Sequence, residues 1–195
     1  RWHIGPTDSV LDPFVGAGTT LLAASERGVP ATGYDLSPLA VFVSRAKIAA
    51  YDGARLQHAW HALQRSAATR VQGTPCRQYP DLIERAFRPP VLAQLEAVSD
   101  AIADVCGLGE TSAFFRLALL RVLPDFSLAR AAGGWLKWSD RAVDPGGVAY
   151  RFAQQVELMI GDLAGAPRAH ADCRVLQADA RSLPDPDGLH TAVIT

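Results

Sequence analysis

The chain has 195 residues, a formal net charge of −1 and 49% apolar residues, enough apolar material for one sizeable packed domain. No stretch reaches the roughly 18 apolar residues of a membrane span, and the amino terminus lacks the basic-then-apolar layout of a secretory signal, so no membrane partner and a cytoplasmic setting are expected. Cys76, Cys106 and Cys173 are too far apart for a zinc site or a disulfide framework, and the near-neutral charge leaves no basic footprint.

In chain order, Ser9-Val10-Leu11-Asp12 is a short apolar run after the turn-like Gly5-Pro6-Thr7-Asp8 and reads as a buried strand. A glycine turn, Gly16-Ala17-Gly18, leads into a helix from Thr19 to about Arg27, stopped by Gly28 and Pro30. A second strand, Ala31 to Asp35, follows. Ser37-Pro38 then opens another helix, with serine as cap and proline at the first helical position, reaching about Tyr51.

From Asp52 to about Gly165 only helical periodicity is expected: Ala54 to Ala68, Val91 to Val105, Ser112 to Val122 and Val148 to Leu163. Breakers separate them, among them Gly73-Thr74-Pro75, Gly107-Leu108-Gly109 and Gly133-Gly134. His58 and His61, three apart, could share a helix face, but with no further ligand nearby they read as surface or half-buried histidines; no metal is expected. Strands return at Cys173 to Gln177 and from about His190 to Thr195, with a loop through Pro184 and Pro186 between them. Alternating strands and helices predict an α/β fold with a mostly parallel sheet. The expected division is a Rossmann-like core from 1–51 and 166–195 and a helical insertion from 52–165. Because the only methionine is Met159, Arg1 is read as an internal residue and the chain as truncated at both ends.

A parallel sheet binds ligands beyond the carboxyl ends of its strands, so the loop from Asp12 to Thr20 is where a ligand is expected. Gly16 and Gly18 permit a sharp turn and close backbone approach, although a tight strand-to-helix turn with no ligand favours glycine equally. Two departures argue against a dinucleotide. The third glycine of that fingerprint would fall at Leu21, and Asp12 sets a carboxylate where a pyrophosphate would have to come. The same carboxylate suits a ligand with a cationic end, such as the ammonium and sulfonium of S-adenosylmethionine. Asp35, at the tip of the second strand, is placed to accept from two ribose hydroxyls, and Asp179, after the third, to take an adenine amino group. Aspartates also end strands and cap turns without any ligand.

Asp12-Pro13-Phe14-Val15-Gly16-Ala17-Gly18-Thr19-Thr20, followed by Gly33-Tyr34-Asp35-Leu36-Ser37-Pro38-Leu39-Ala40, resembles the first two motifs of the amino-directed DNA methyltransferases, which act on adenine or cytosine. The resemblance covers residues 8–51 well and 173–195 more weakly. It implies a class I, Rossmann-like methyltransferase fold and S-adenosylmethionine as cofactor. Asp12, Phe14, Gly16, Gly18 and Thr19 would surround the methionine moiety, Asp35 would hold the ribose, Leu36 would press on the adenine face, and Asp179 with Ala180 would bind its edge. It also implies DNA as the partner; an RNA amino-group methyltransferase and a non-catalytic cofactor-binding scaffold are the alternatives.

The insertion matches no motif and is the candidate target-recognition region. Arg55, Arg65, Arg70, Arg130, Lys137 and Arg141 are its candidates to meet phosphates, and Trp135 or Trp138 to stack on a base. The family's acceptor-Pro-Pro-aromatic catalytic motif does not occur in the chain, whose only double proline is Pro89-Pro90. No catalytic residue is therefore assigned, and the motif is expected just after Thr195. The oligomeric state is not legible.

Overall fold

The computed structural model describes residues 4–5, 7–67, 74–165, 171–184 and 188–195. Contacts divide the chain into two compact units, Arg1–Tyr51 with Gly165–Thr195, and Asp52–Ala164.

The first unit is built on four parallel strands: β1 (Val10–Asp12), β2 (Ala31–Asp35), β5 (Cys173–Gln177) and β6 (Ala192–Val193), in the order β5-β2-β1-β6. Parallel neighbours need crossovers, and the helices α1 (Thr19–Glu26) and α2 (Pro38–Ile48) follow β1 and β2. A strand buried on both faces carries no polar alternation. Accordingly Ala31, Thr32, Gly33 and Tyr34 of β2 are all buried. The core joins Val10, Val15, Leu21, Ala24, Val29, Ala31, Val41 and Val175. Gly33 is required by this packing, because a Cβ there would lie 2.7 Å from Val15 Cγ2 and 3.0 Å from both Leu21 methyl groups. The fold is therefore α/β and Rossmann-like. Strand β6 is shorter than the expected run from His190, with its approach held by Thr191 N–H on Ser9 O (2.9 Å) and by Ser9 Oγ on His190 Nδ1 (2.8 Å).

Helix α2 begins as its sequence predicts. Ser37 Oγ accepts from Ala40 N–H at 3.4 Å, Pro38 occupies the first turn, and Arg45 and Lys47 lie in the last turn, where cations suit the helix dipole. Arg45 Nε also donates to Val175 O at 2.8 Å, fastening α2 to β5.

The second unit contains α3 (Gly53–Ala67), α4 (Asp81–Ala86), α5 (Pro89–Cys106), α6 (Glu110–Phe126) and α7 (Gly147–Gly165). Trp60 of α3 is its hub, stacked on Phe115 with centroids 6.3 Å apart and edge-on to Phe152 at 5.9 Å. His58 and His61 are exposed on α3. Pro89-Pro90 starts α5, as expected of prolines in a first turn.

Two features go beyond the expected elements, and the second corrects the all-helical expectation. Six-residue α4 is too short for its periodicity to stand out. More consequentially, β3 (Ala129–Ala132) and β4 (Trp135–Trp138) form an antiparallel ribbon. Gly133 and Gly134, which read as a breaker, have φ of 54° and 96°, the positive pair that a two-residue hairpin turn demands.

Glu96 of α5 is buried and receives the N–H groups of Cys76 at 2.7 Å and Arg77 at 3.0 Å, so one carboxylate anchors the segment leading to α4. Burial pushes its pKa up, but those two N–H groups, the Tyr79 hydroxyl and the Arg77 charge outweigh it and hold the carboxyl below its ordinary 4.5. A depressed carboxylate stabilises the fold above its unfolded value and loses that contribution as pH falls through the folded value. Glu96→Gln is accordingly expected to cost roughly 1–2 kcal/mol in urea denaturation at neutral pH. The gap from the unsubstituted chain should close below about pH 4.5; a gap unchanged down to pH 3 would assign the stabilisation to packing.

Candidate functional site

Strand order reverses between β1 and β6: the chain moves from β1 outward through β2 to β5, then returns to the other side of β1. A crevice opens at such a reversal beyond the carboxyl ends of the strands. The tip of β1 lies on it and carries Asp12 and the glycine loop.

Asp12 is 5% exposed, and its Oδ1 accepts Phe14 N–H at 3.1 Å, turning the chain back on itself as it leaves the strand. Val15 N–H then bonds Tyr34 O and Gly18 N–H bonds Val15 O, each at 2.8 Å, tying the loop to β2 and closing it. Gly16 and Gly18 both take positive φ, 50° and 77°, in the region where a Cβ is disfavoured. Gly18 caps α1 without any side-chain bond, and Thr19 is exposed at its first position.

Asp35 is the junction of the loops after β1 and β2. Its Oδ2 accepts Gly16 N–H at 2.9 Å and its Oδ1 accepts Ser37 N–H at 2.8 Å. Each carboxylate oxygen offers two acceptor sites, so capacity is left for ligand hydroxyls. Register sets Gly33 beside Asp12 and Gln177 beside Asp35. Asp179 lies two residues past Gln177, and its neighbour Ala180 is half-buried.

Phe14 is 66% exposed and Leu36 67% exposed. Phe14 therefore does not pack in the core, and the two side chains form an apolar rim on the loops after β1 and β2. Such exposure beside carboxylates suits a ligand with a flat apolar part and polar edges. Asp12, Phe14, Gly16, Gly18, Asp35 and Leu36 thus belong to two linked loops. Asp179 differs, because Arg181 grips it through Nε at 3.0 and 3.1 Å, Nη2 at 2.5 Å and its backbone N–H at 2.9 Å. That side chain, then that N–H, hold the Asp179 carboxyl below its usual range. A ligand amino group would share the carboxylate with Arg181 or displace it.

Ser44 was not legible as a site residue. It is fully buried in α2, its Oγ donates to Gly16 O at 2.8 Å, and its backbone lies against Gly18. The available signal was a small polar residue among the apolar positions Val41, Ala46 and Ile48. A cavity of about 410 Å³, lined by Thr19, Thr20, Ala23, Arg27, Val29 and Ile194 among others, shares Thr19 with the candidate site but includes none of the three acids.

In the second unit, Arg55 and Arg65 are exposed on α3, while Arg70 lies outside the described residues. Arg141 Nη2 donates to the carbonyls of Pro124 at 3.1 Å, Asp125 at 2.5 Å and Ser127 at 2.9 Å. It satisfies the end of α6 rather than facing outward as a phosphate contact would. Trp138 lies under the Arg85 guanidinium, 4.0 Å from the ring centroid, whereas Trp135 is 72% exposed.

Comparison with known proteins finds two similar sequences. The Type II methyltransferase M.BsoBI of Geobacillus stearothermophilus is 26% identical over 137 residues, 69% of this chain and 26% of that protein. The Type II methyltransferase M.MjaII of Methanocaldococcus jannaschii is 36% identical over 55 residues, 28% of this chain and 10% of that protein. The chain thus spans about a quarter and a tenth of these curated relatives. No family model matches it, and no solved structure does. No helix among the described residues is long and apolar enough to cross a membrane.

Proposed function

We propose that this chain, similar in sequence to type II methyltransferases, is the S-adenosylmethionine-binding portion of a DNA methyltransferase directed at an exocyclic amino group of adenine or cytosine. The observation that carries the reading is Asp35 bridging Gly16 N–H and Ser37 N–H, which joins the loops after β1 and β2 into one acidic, apolar-rimmed cradle. Asp12 would attract the cationic end of the cofactor, and Gly16, Gly18 and Thr19 would admit its methionine moiety closely. Asp35 would hold the ribose hydroxyls, with Leu36 and Phe14 against apolar surface. Asp179 and Ala180 would take the adenine edge once Arg181 yields. The cofactor supplies an electrophilic methyl group on sulfur. An exocyclic amino group is a weak nucleophile because its lone pair is delocalised into the ring, so transfer requires acceptors that hold that group. No acceptor-Pro-Pro-aromatic run occurs in residues 1–195, and we infer that they bind cofactor without transferring methyl alone.

Calorimetric titration with S-adenosylmethionine tests the binding step; no heat of binding from a folded chain would remove the reading. Radiolabelled methyl transfer to duplex DNA and to transfer RNA tests the rest. Incorporation into RNA alone would move the substrate to RNA, and incorporation into DNA by residues 1–195 would show that the acceptor is already among them.

A further inference from the structure

The ribbon of β3 and β4 carries an arrangement that folding alone does not explain. Arg130 pairs directly with Lys137, and Ala132 with Trp135. Side chains alternate along a strand and paired residues share a face, so Arg130, Lys137 and Trp135 lie on one face while Ala129, Ala131, Leu136 and Trp138 lie on the other. Like charges directly opposite across a ribbon are destabilising. Both cations are exposed, and neither has a carboxylate partner among the described residues. Four other arginines of this unit are engaged: Arg77 with Asp100, Arg151 with Asp125, Arg141 with the carbonyls ending α6, and Arg85 with Trp138. Arg55, Arg65 and Arg121 stand exposed on helices, with no like charge paired directly opposite. The opposite face is the fastened one, through Trp138 under Arg85 of α4, with Leu128 N–H on Ala86 O at 2.7 Å just before the ribbon. The opposite face is therefore held at Trp138, although Ala131 and Leu136 on it are exposed, while the Arg130–Lys137–Trp135 face presents two unneutralised cations beside an indole 72% exposed.

We infer that the Arg130–Lys137–Trp135 face of the ribbon is a contact surface for duplex DNA. A polyanion supplies the charge that the opposed cations lack, and phosphates are met readily by Arg and Lys. The duplex is chosen over RNA because the major groove of B-form DNA admits a two-stranded ribbon, while that of an RNA helix is too deep and narrow. The exposed indole adds a flat apolar surface for a sugar or an unstacked base. The inference rests on the proposed function for the identity of the polyanion and adds to it the element that touches the substrate.

The test is fluorescence anisotropy of the full chain with a short labelled duplex, over a salt series. Arg130→Gln with Lys137→Gln should weaken binding roughly tenfold or more and flatten the slope of log affinity against log salt by roughly 1.8, about 0.9 per lost phosphate contact. Trp135→Ala should weaken binding with the slope unchanged, because an aromatic contact releases no counterions. Arg121→Gln, at an exposed cation of α6, should leave both quantities in place. An unchanged double variant, an equal loss in Arg121→Gln, or a loss confined to a structured RNA competitor would overturn the inference. So would absence of duplex binding by the unsubstituted chain; S-adenosylmethionine titration of that protein then separates the failures, since retained cofactor binding leaves the proposed function standing.

Discussion

Replacing Gly18 by valine is expected to cost the unit of residues 1–51 and 165–195 about 2–5 kcal/mol and to abolish cofactor binding. Two independent penalties add. At φ 77° an L-residue is left-handed, which costs roughly 1–2 kcal/mol. In addition, a Cβ at Gly18 would lie 2.8 Å from Ser44 Oγ and 3.0 Å from Ser44 Cα and Cβ. The hydroxyl can rotate aside, but Cα belongs to the backbone of α2 and moves only with the helix; overpacking of this kind typically costs about 1–3 kcal/mol. Displacing Ser44 also releases its bond to Gly16 O, so the loop is lost together with the packing. Gly16→Val supplies the contrast. The nearest atom to a Cβ at Gly16 is Phe14 O at 3.7 Å, so there only the strain of φ 50° operates and binding should suffer more than folding. Urea denaturation and S-adenosylmethionine calorimetry of both variants distinguish the cases. A Gly18→Val chain as stable as the unsubstituted one would refute the role of the Ser44 contact.

Asp35→Ala is expected to weaken S-adenosylmethionine binding by roughly 1–3 kcal/mol, or about 5- to 150-fold, with a smaller loss of stability. The carboxylate acts twice. It would accept ligand hydroxyls directly, and it holds Gly16 N–H and Ser37 N–H at 2.9 and 2.8 Å, so its removal also leaves two loop donors unmet. Asp35→Asn should fall between, since one amide oxygen can still accept while the amide nitrogen must face a second donor. Equal affinity in Asp35→Ala would take the residue out of the site. Stability lost with affinity intact would make it a loop staple only.

The parts of this molecule legible in the sequence are those governed by short-range rules. Ser37-Pro38 predicts the start of α2 because a side-chain acceptor and a fixed φ act within one turn, and Ser37 Oγ does accept Ala40 N–H. Short runs bounded by turn residues predict β2 and β5, and both strands occupy the predicted residues, Ala31–Asp35 and Cys173–Gln177. Only β2 is buried on both faces, while β5 lies at the sheet edge with Arg174 and Gln177 exposed. The ribbon was not legible: four-residue strands are too short for alternation to stand out, and Gly133-Gly134 serves equally as a break between helices until its φ angles are seen.

By itself, the sequence determined that strands alternate with helices around a glycine turn and that acids follow three of the strands, since pattern and turn chemistry act within a few residues. Only the tertiary structure decided which acid links two loops, that Asp179 is held by Arg181, that Ser44 braces the glycine turn, and that Arg141 is spent on α6 while Arg130 stands opposite Lys137. The physical reason is reach. A hydrogen bond such as Ser44 Oγ to Gly16 O joins residues 28 apart in sequence, and a cross-strand pair depends on register. Neither leaves a local signature, because each forms only when the burial of apolar surface elsewhere has brought its two partners together.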